Sequence, residues 1–181
     1  MCSGTASASA SHGSSAAMDE FCSLAEQVKM YRNSYRVNVQ PDQELRIDVN
    51  GGKWLKKGPF SVTVREGPLV EKMQEWFPDC NAVCVNRKRA TSPPMGRHKD
   101  GKNQLRESHV CIWGDHPEGE GALVLEDGER LTERKKWHTR AFSEIFHHVE
   151  PHTSGVRWSA IAFRGKPVRL ATQFQKGVSR K

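Results

Sequence analysis

The sequence predicts a mostly β fold, a sandwich or jelly roll of short strands backed by helices gathered toward the N-terminal side. Three observations carry this. Short apolar or alternating runs recur from residue 82 onward, they are separated by Gly, Pro and Asp turns, and the two segments with helical periodicity both precede them.

Taken in order, residues 18–31 place Phe21, Leu24, Val28 and Tyr31 at helical spacing, with Asp19 and Glu20 in the first turn. Leu45, Ile47 and Val49 then alternate with polar residues before an Asn50-Gly51 turn, and Phe60, Val62 and Val64 alternate again. Pro68 is suited to open a second helix whose apolar face is Leu69, Val70, Met73, Trp76 and Phe77, and Pro78 closes it. Strands are expected within 82–86, 108–113, 121–125, 137–142 and 156–163. No internal repeat is present.

A chain of 181 residues has room for one domain with a hydrophobic core. Its 36% hydrophobic and 27% charged content is that of a soluble globular protein, and no apolar run is long enough to cross a bilayer, so no membrane association is expected. Residues 1–17 form a Ser/Ala/Gly-rich stretch with neither a basic start nor an apolar core. They are expected to be a disordered leader, not a secretory signal. Residues 18–165 are expected to form that domain, and 166–181 a basic tail. Cysteines number five, and the close pair Cys80 and Cys84 has no second pair to complete a zinc site. Free thiols in a reducing, intracellular compartment are expected, nucleus and cytoplasm both being open. Nothing in the sequence fixes an oligomeric state.

The net charge of +7 is unevenly spread. Residues 1–50 are net acidic, whereas residues 82–107 gather Arg87, Lys88, Arg89, Arg97, Lys99, Lys102 and Arg106, and the tail from Arg164 carries no acid at all. Two separate basic clusters suggest a polyanionic partner such as DNA or RNA.

The chemistry-bearing residues begin with Arg97-His98-Lys99-Asp100. In a strand, residues two apart face one side, so His98 and Asp100 can point at one metal ion. An imidazole and a carboxylate are two thirds of the facial triad of non-haem iron(II) oxygenases. A His-x-Asp pair is common by chance and needs a distal histidine and an anion-binding group. Both occur in the segment from Phe146 to Ser159. His147 and His148 compete as the distal ligand, and alternation turns them to opposite faces. Arg157, Ser159, Ile161 and Phe163 share a strand face, where a planar guanidinium and a hydroxyl can grip a carboxylate. His109, His116, His138 and His152 match no motif position.

In this pattern the chain resembles the 2-oxoglutarate/iron(II) dioxygenase superfamily: His-x-Asp, some fifty residues, then His-x-Val-x-Pro with a following Gly-x-Arg-x-Ser. The resemblance covers residues 82–164. It implies a double-stranded β-helix (the cupin-like jelly roll), with His98, Asp100 and His147 on Fe(II). It also implies Arg157 and Ser159 on the far carboxylate of 2-oxoglutarate, and O2 as oxidant for a C–H bond. Within the superfamily, Arg97-His98-Lys99-Asp100-Gly101-Lys102-Asn103 and Gly119-Glu120-Gly121-Ala122-Leu123-Val124-Leu125 are similar to the TET/JBP group, which oxidises the methyl of 5-methylcytosine or thymine in nucleic acid. For such a substrate, Lys88, Arg89, Arg97, Lys99 and Lys102, which flank the metal motif, are candidate phosphate contacts, and Asn103 is a candidate contact to the base or behind the metal ligands. Two other readings stand beside it: a hydroxylase of protein side chains or small molecules, and a nucleic-acid-binding module with a degenerate oxygenase fold.

Overall fold

In a computed structural model, the described residues are 14–28, 60–92, 95–101 and 103–166. The expected strand around Leu45, Ile47 and Val49, the Asn50-Gly51 turn, Tyr31, Lys102 and the tail from residue 167 lie outside them.

Helix α1 spans Ser15–Glu26 and starts earlier than hydrophobic spacing suggested. Ser14 caps it, its hydroxyl accepting from the Ala17 amide at 3.3 Å. Ala16 and Ala17 are strong helix formers, so the end of the expected leader is helical. Helix α2 spans Pro68–Gln74, with Pro68 in the first turn, and Trp76 and Phe77 follow it in a turn.

The strands among the described residues are, in chain order, β1 Phe60–Val64, β2 Ala82–Arg89, β3 Met95–His98, β4 Ser108–Gly114, β5 Leu123–Leu125, β6 Arg130–Leu131, β7 Trp137–Arg140, β8 His147–Val149 and β9 Val156–Phe163. They form two antiparallel sheets, one ordered β1-β2-β9-β4-β7 and the other β3-β8-β5-β6. The two-residue strand β6 has no alternation to read, which is why the sequence did not predict it.

Alternation divides the five-stranded sheet into two faces. Val83 and Val85 of β2, Cys111 and Trp113 of β4, Trp137 of β7, and Ala160 and Ala162 of β9 pack on Phe21, Leu69, Val70 and Met73 of the helices. Val110 and Ile112 of β4 and Ile161 of β9 point the other way. They meet Met95, Leu123, Leu125, Leu131 and Val149 of the four-stranded sheet around a fully buried Phe142. The central strands are thus covered on both sides, by helices outside and by the second sheet inside. Their near-continuous burial follows from that. Cys22, Cys80, Cys84 and Cys111 are buried, and none of the four is in a disulfide. No helix among the described residues is long and apolar enough to cross a membrane.

Candidate metal centre and adjoining cavity

The inner space between the sheets narrows to a cavity lined by Asn86, Lys88, Met95, His98, Asp100, Val110, Leu123, His147, Val149, Arg157, Ser159 and Ile161. At one end, β3 and β8 pair so that His98 lies directly opposite His147. Their rings sit 4.4 Å apart between centroids. The Asp100 carboxylate lies 3.8 Å from His98 Nε2 and 3.4 Å from His147 Nε2.

Alternation along a single strand is not what joins His98 to Asp100. Strand β3 ends at His98, and Asp100 follows it outside the sheet, its amide donating to the Phe142 carbonyl at 2.9 Å. The backbone bond turns the acid back toward the two imidazoles. His148 pairs across with Val124, and its ring belongs neither to the cluster nor to the cavity lining.

Both imidazoles are fixed from behind. His98 Nδ1 lies 2.8 Å from the Gly96 carbonyl, and His147 Nδ1 lies 3.0 Å from the Ile145 carbonyl. A carbonyl can only accept, so each Nδ1 carries a proton, and in the neutral form of each ring Nε2 is the lone-pair donor. The donor atoms of His98, Asp100 and His147 all lie within 4.8 Å of one another. Two neutral imidazoles and a carboxylate with such backing fit a divalent transition metal.

The other end of the cavity is basic. Arg157 is 3% exposed, and its Nε donates to the Gly121 carbonyl at 2.6 Å. Burial lowers the guanidinium to about 10, so it is still charged at neutral pH. Ser159 lies two residues along the same strand face, opposite Asn86 of β2 and Ile112 of β4. The sequence-predicted Arg157, Ser159 and Ile161 therefore share one wall, and a carboxylate is the ligand that a buried arginine and a hydroxyl suit.

Five expected substrate contacts can be located. Lys88, assigned to a phosphate-binding surface, is 5% exposed and lines the cavity beside Arg157, so its ammonium cannot reach an external phosphate backbone. Parity was the available signal: Val83 and Val85 face the helices, which turns Asn86 and Lys88 inward. Asn103 is a brace. Its amide donates to the Glu107 carbonyl at 2.7 Å, and its oxygen accepts from the Leu105 and Arg164 amides. Arg89, Arg97 and Lys99 are exposed, as a contact to polyanion requires. Lys102 is outside the described residues.

Phe146 is not among the expected residues, and Arg97 and Lys99 both lie over its ring, at 4.9 and 4.6 Å from its centroid. Phe146 is the exposed large hydrophobic among the described residues, immediately before His147. Behind Arg157, His116 and His152 are buried with ring centroids 5.6 Å apart. His116 is pushed down to about 4 by burial and then by Arg134, Arg157 and His152. His152 is lowered by burial, then by Lys88. His109, by contrast, belongs to the helix side, stacked on Phe77 and bonded to the Thr139 hydroxyl.

No family model matches the chain, and no curated protein matches it. Among the solved structures similar to it are the following two. One is NgTET1 in complex with 5mC DNA, 22% identical, with 48% of this chain and 34% of that chain covered and a TM-score of 0.42. The other is a prolyl-4-hydroxylase from Pseudomonas putida, 12% identical, with 83% and 85% covered and a TM-score of 0.49. The match to NgTET1 spans about a third of that protein's length.

Proposed function

We propose that this chain is an iron(II)- and 2-oxoglutarate-dependent dioxygenase, with its two sheets forming the double-stranded β-helix of that superfamily. One observation carries the reading: a cluster of two histidines and an aspartate opens on a cavity whose far wall is a buried arginine beside a serine. His98, Asp100 and His147 would hold Fe(II), leaving positions open for further ligands. Arg157 and Ser159 would take the far carboxylate of 2-oxoglutarate. Met95, Val110, Leu123, Val149 and Ile161 form the apolar wall between, which keeps bulk water from the reacting centre. With O2, the bound group supplies an oxidant for an unactivated C–H bond.

For the substrate we propose the methyl of 5-methylcytosine or thymine in DNA or RNA. The exposed cations Arg97 and Lys99, together with the exposed Phe146 ring, support this choice at the metal end, and Arg89 is exposed on the side of Arg157. A base in a duplex would be flipped out of the stack to reach the cluster. The test is succinate release by the iron-loaded protein over a panel of methylated DNA and RNA, peptides and free nucleosides. Turnover on methylated nucleic acid is expected. Turnover confined to peptides or metabolites overturns the substrate, and no 2-oxoglutarate-dependent succinate with any of them overturns the dioxygenase reading.

A further inference from the structure

We infer that Lys88 is a second cation of the carboxylate site, so that the far end of the cosubstrate is held between Arg157 and Lys88 and acids with an uncharged far end are rejected. The inference rests on the dioxygenase reading above.

Lys88 and Arg157 are direct cross-strand partners of β2 and β9, and both point into the cavity. Like charges directly opposite in a sheet repel, and a buried cation is costly unless an anion or a full set of acceptors meets it. Neither compensation is at hand. Among the described residues lining the cavity, the one acid is Asp100, which belongs to the metal cluster. The Lys88 ammonium makes one long hydrogen bond, 3.4 Å to the Glu150 carbonyl. The Glu150 carboxylate itself is directed elsewhere, onto Arg130 at 2.5 Å. Further back, His152 and His116 add two imidazoles whose protonation this neighbourhood opposes.

Two buried cations without an anion are a site awaiting negative charge. Burial and the adjacent Arg157 lower the Lys88 ammonium to about 8, which is how the empty pair limits its repulsion. An arriving carboxylate reverses this, because it accepts from both cations and restores the proton to Lys88. Charge-assisted hydrogen bonds to a buried carboxylate are among the stronger polar contacts. A neutral chain end in the same place leaves both cations unmet, so the discrimination is larger than one contact alone would give.

The experiment compares 2-oxoglutarate with 2-oxopentanoate, which keeps the keto-acid end and replaces the far carboxylate by a methyl group. Both are titrated calorimetrically into the iron-loaded protein without oxygen. Lys88→Met is expected to weaken 2-oxoglutarate binding about tenfold or more while leaving 2-oxopentanoate within about twofold. In the wild type, 2-oxoglutarate should take up a larger fraction of a proton at pH 8.5 than at pH 7, in buffers of differing ionisation enthalpy, and this arm holds even if the variant misfolds. An equal loss for both acids, or none for either, with no proton uptake, overturns the role of Lys88 and leaves the dioxygenase reading standing. A wild-type protein that takes no 2-oxoglutarate overturns both.

Discussion

Gly121 and Arg157 are built around each other. The Gly121 carbonyl accepts from Arg157 Nε at 2.6 Å, and a Cβ at Gly121 would come within 3.0 Å of Arg157 Cδ and 3.2 Å of the His116 ring. The residue also has φ +64°, a conformation that side chains resist. Gly121→Val is therefore expected to push Arg157 off its anchor. It should weaken 2-oxoglutarate binding roughly tenfold, lower stability by about 1 kcal/mol or more, and leave iron stoichiometry unchanged. Arg157→Ala should lose more of that affinity, on the order of a hundredfold. Titration of the cosubstrate into both variants, alongside thermal melts, checks the ranking. Unchanged cosubstrate affinity in Arg157→Ala would remove the carboxylate from this wall.

Alanine at His98, Asp100 or His147 should abolish stoichiometric iron binding, since three donors are the minimum that holds the ion on one face. His148→Ala should bind iron as the wild type does. Iron content after anaerobic loading and desalting distinguishes them. A dead His148 variant beside a competent His147 variant would invert the assignment. Removing the ion with a chelator should stop succinate release, and readdition of Fe(II) should restore it.

The wall made by Arg157, Ser159 and Ile161 was legible because alternation along one strand encodes it. The nearness of His98 to Asp100 followed from their short spacing, but it is made by a backbone bond beyond the strand and not by alternation. Lys88 was misread for a physical reason. Its place in a run of basic residues suggested a solvated surface, while strand parity set by Val83 and Val85 turned it inward. Asn103 looked like a site residue by its nearness to Asp100, yet what engages it is the backbone around Leu105, Glu107 and Arg164, brought together only by the fold. His116 and His152 share no local pattern. Their meeting behind Arg157 depends on two loops more than thirty residues apart, which spacing along the chain cannot reveal. The helical start at Ser15 was hidden because a Ser/Ala stretch has the composition of a linker as well as that of a capped helix.

Stability should fall with pH in the range where His116 is asked to ionise. Its folded value is about 4, against roughly 6.5 when unfolded, so the unfolded chain binds the proton first. The stabilisation from keeping it neutral is present above about 6.5 and is lost as pH falls toward 4. The two values bound the effect at about 3 kcal/mol. His152 contributes in the same direction. Chemical denaturation at intervals between pH 7.5 and 4.5 should give a steep decline for the wild type and a shallower one for His116→Gln. Parallel slopes would mean that the buried imidazole titrates without consequence.

The last expectation concerns the rim of the metal end. Arg97 and Lys99 both lie over the Phe146 ring, and Arg97 also pairs with Glu126 at 3.6 Å. A polynucleotide offers this group phosphate for two exposed cations and a base for an exposed ring. Phosphate contacts release counterions, so affinity should fall steeply as salt rises, and Arg97→Ala with Lys99→Ala should weaken binding and reduce the salt slope by about two. Stacking carries no such salt term. Phe146→Ala should therefore weaken single-strand binding by roughly tenfold while leaving the slope unchanged. Fluorescence anisotropy with a short single strand and its duplex, at several salt concentrations, separates the two effects. If neither set of variants changes binding, or if no nucleic acid binds even at low salt, the rim is not a nucleic-acid surface and the substrate proposed above falls with it. The metal cluster and the carboxylate wall do not depend on that result.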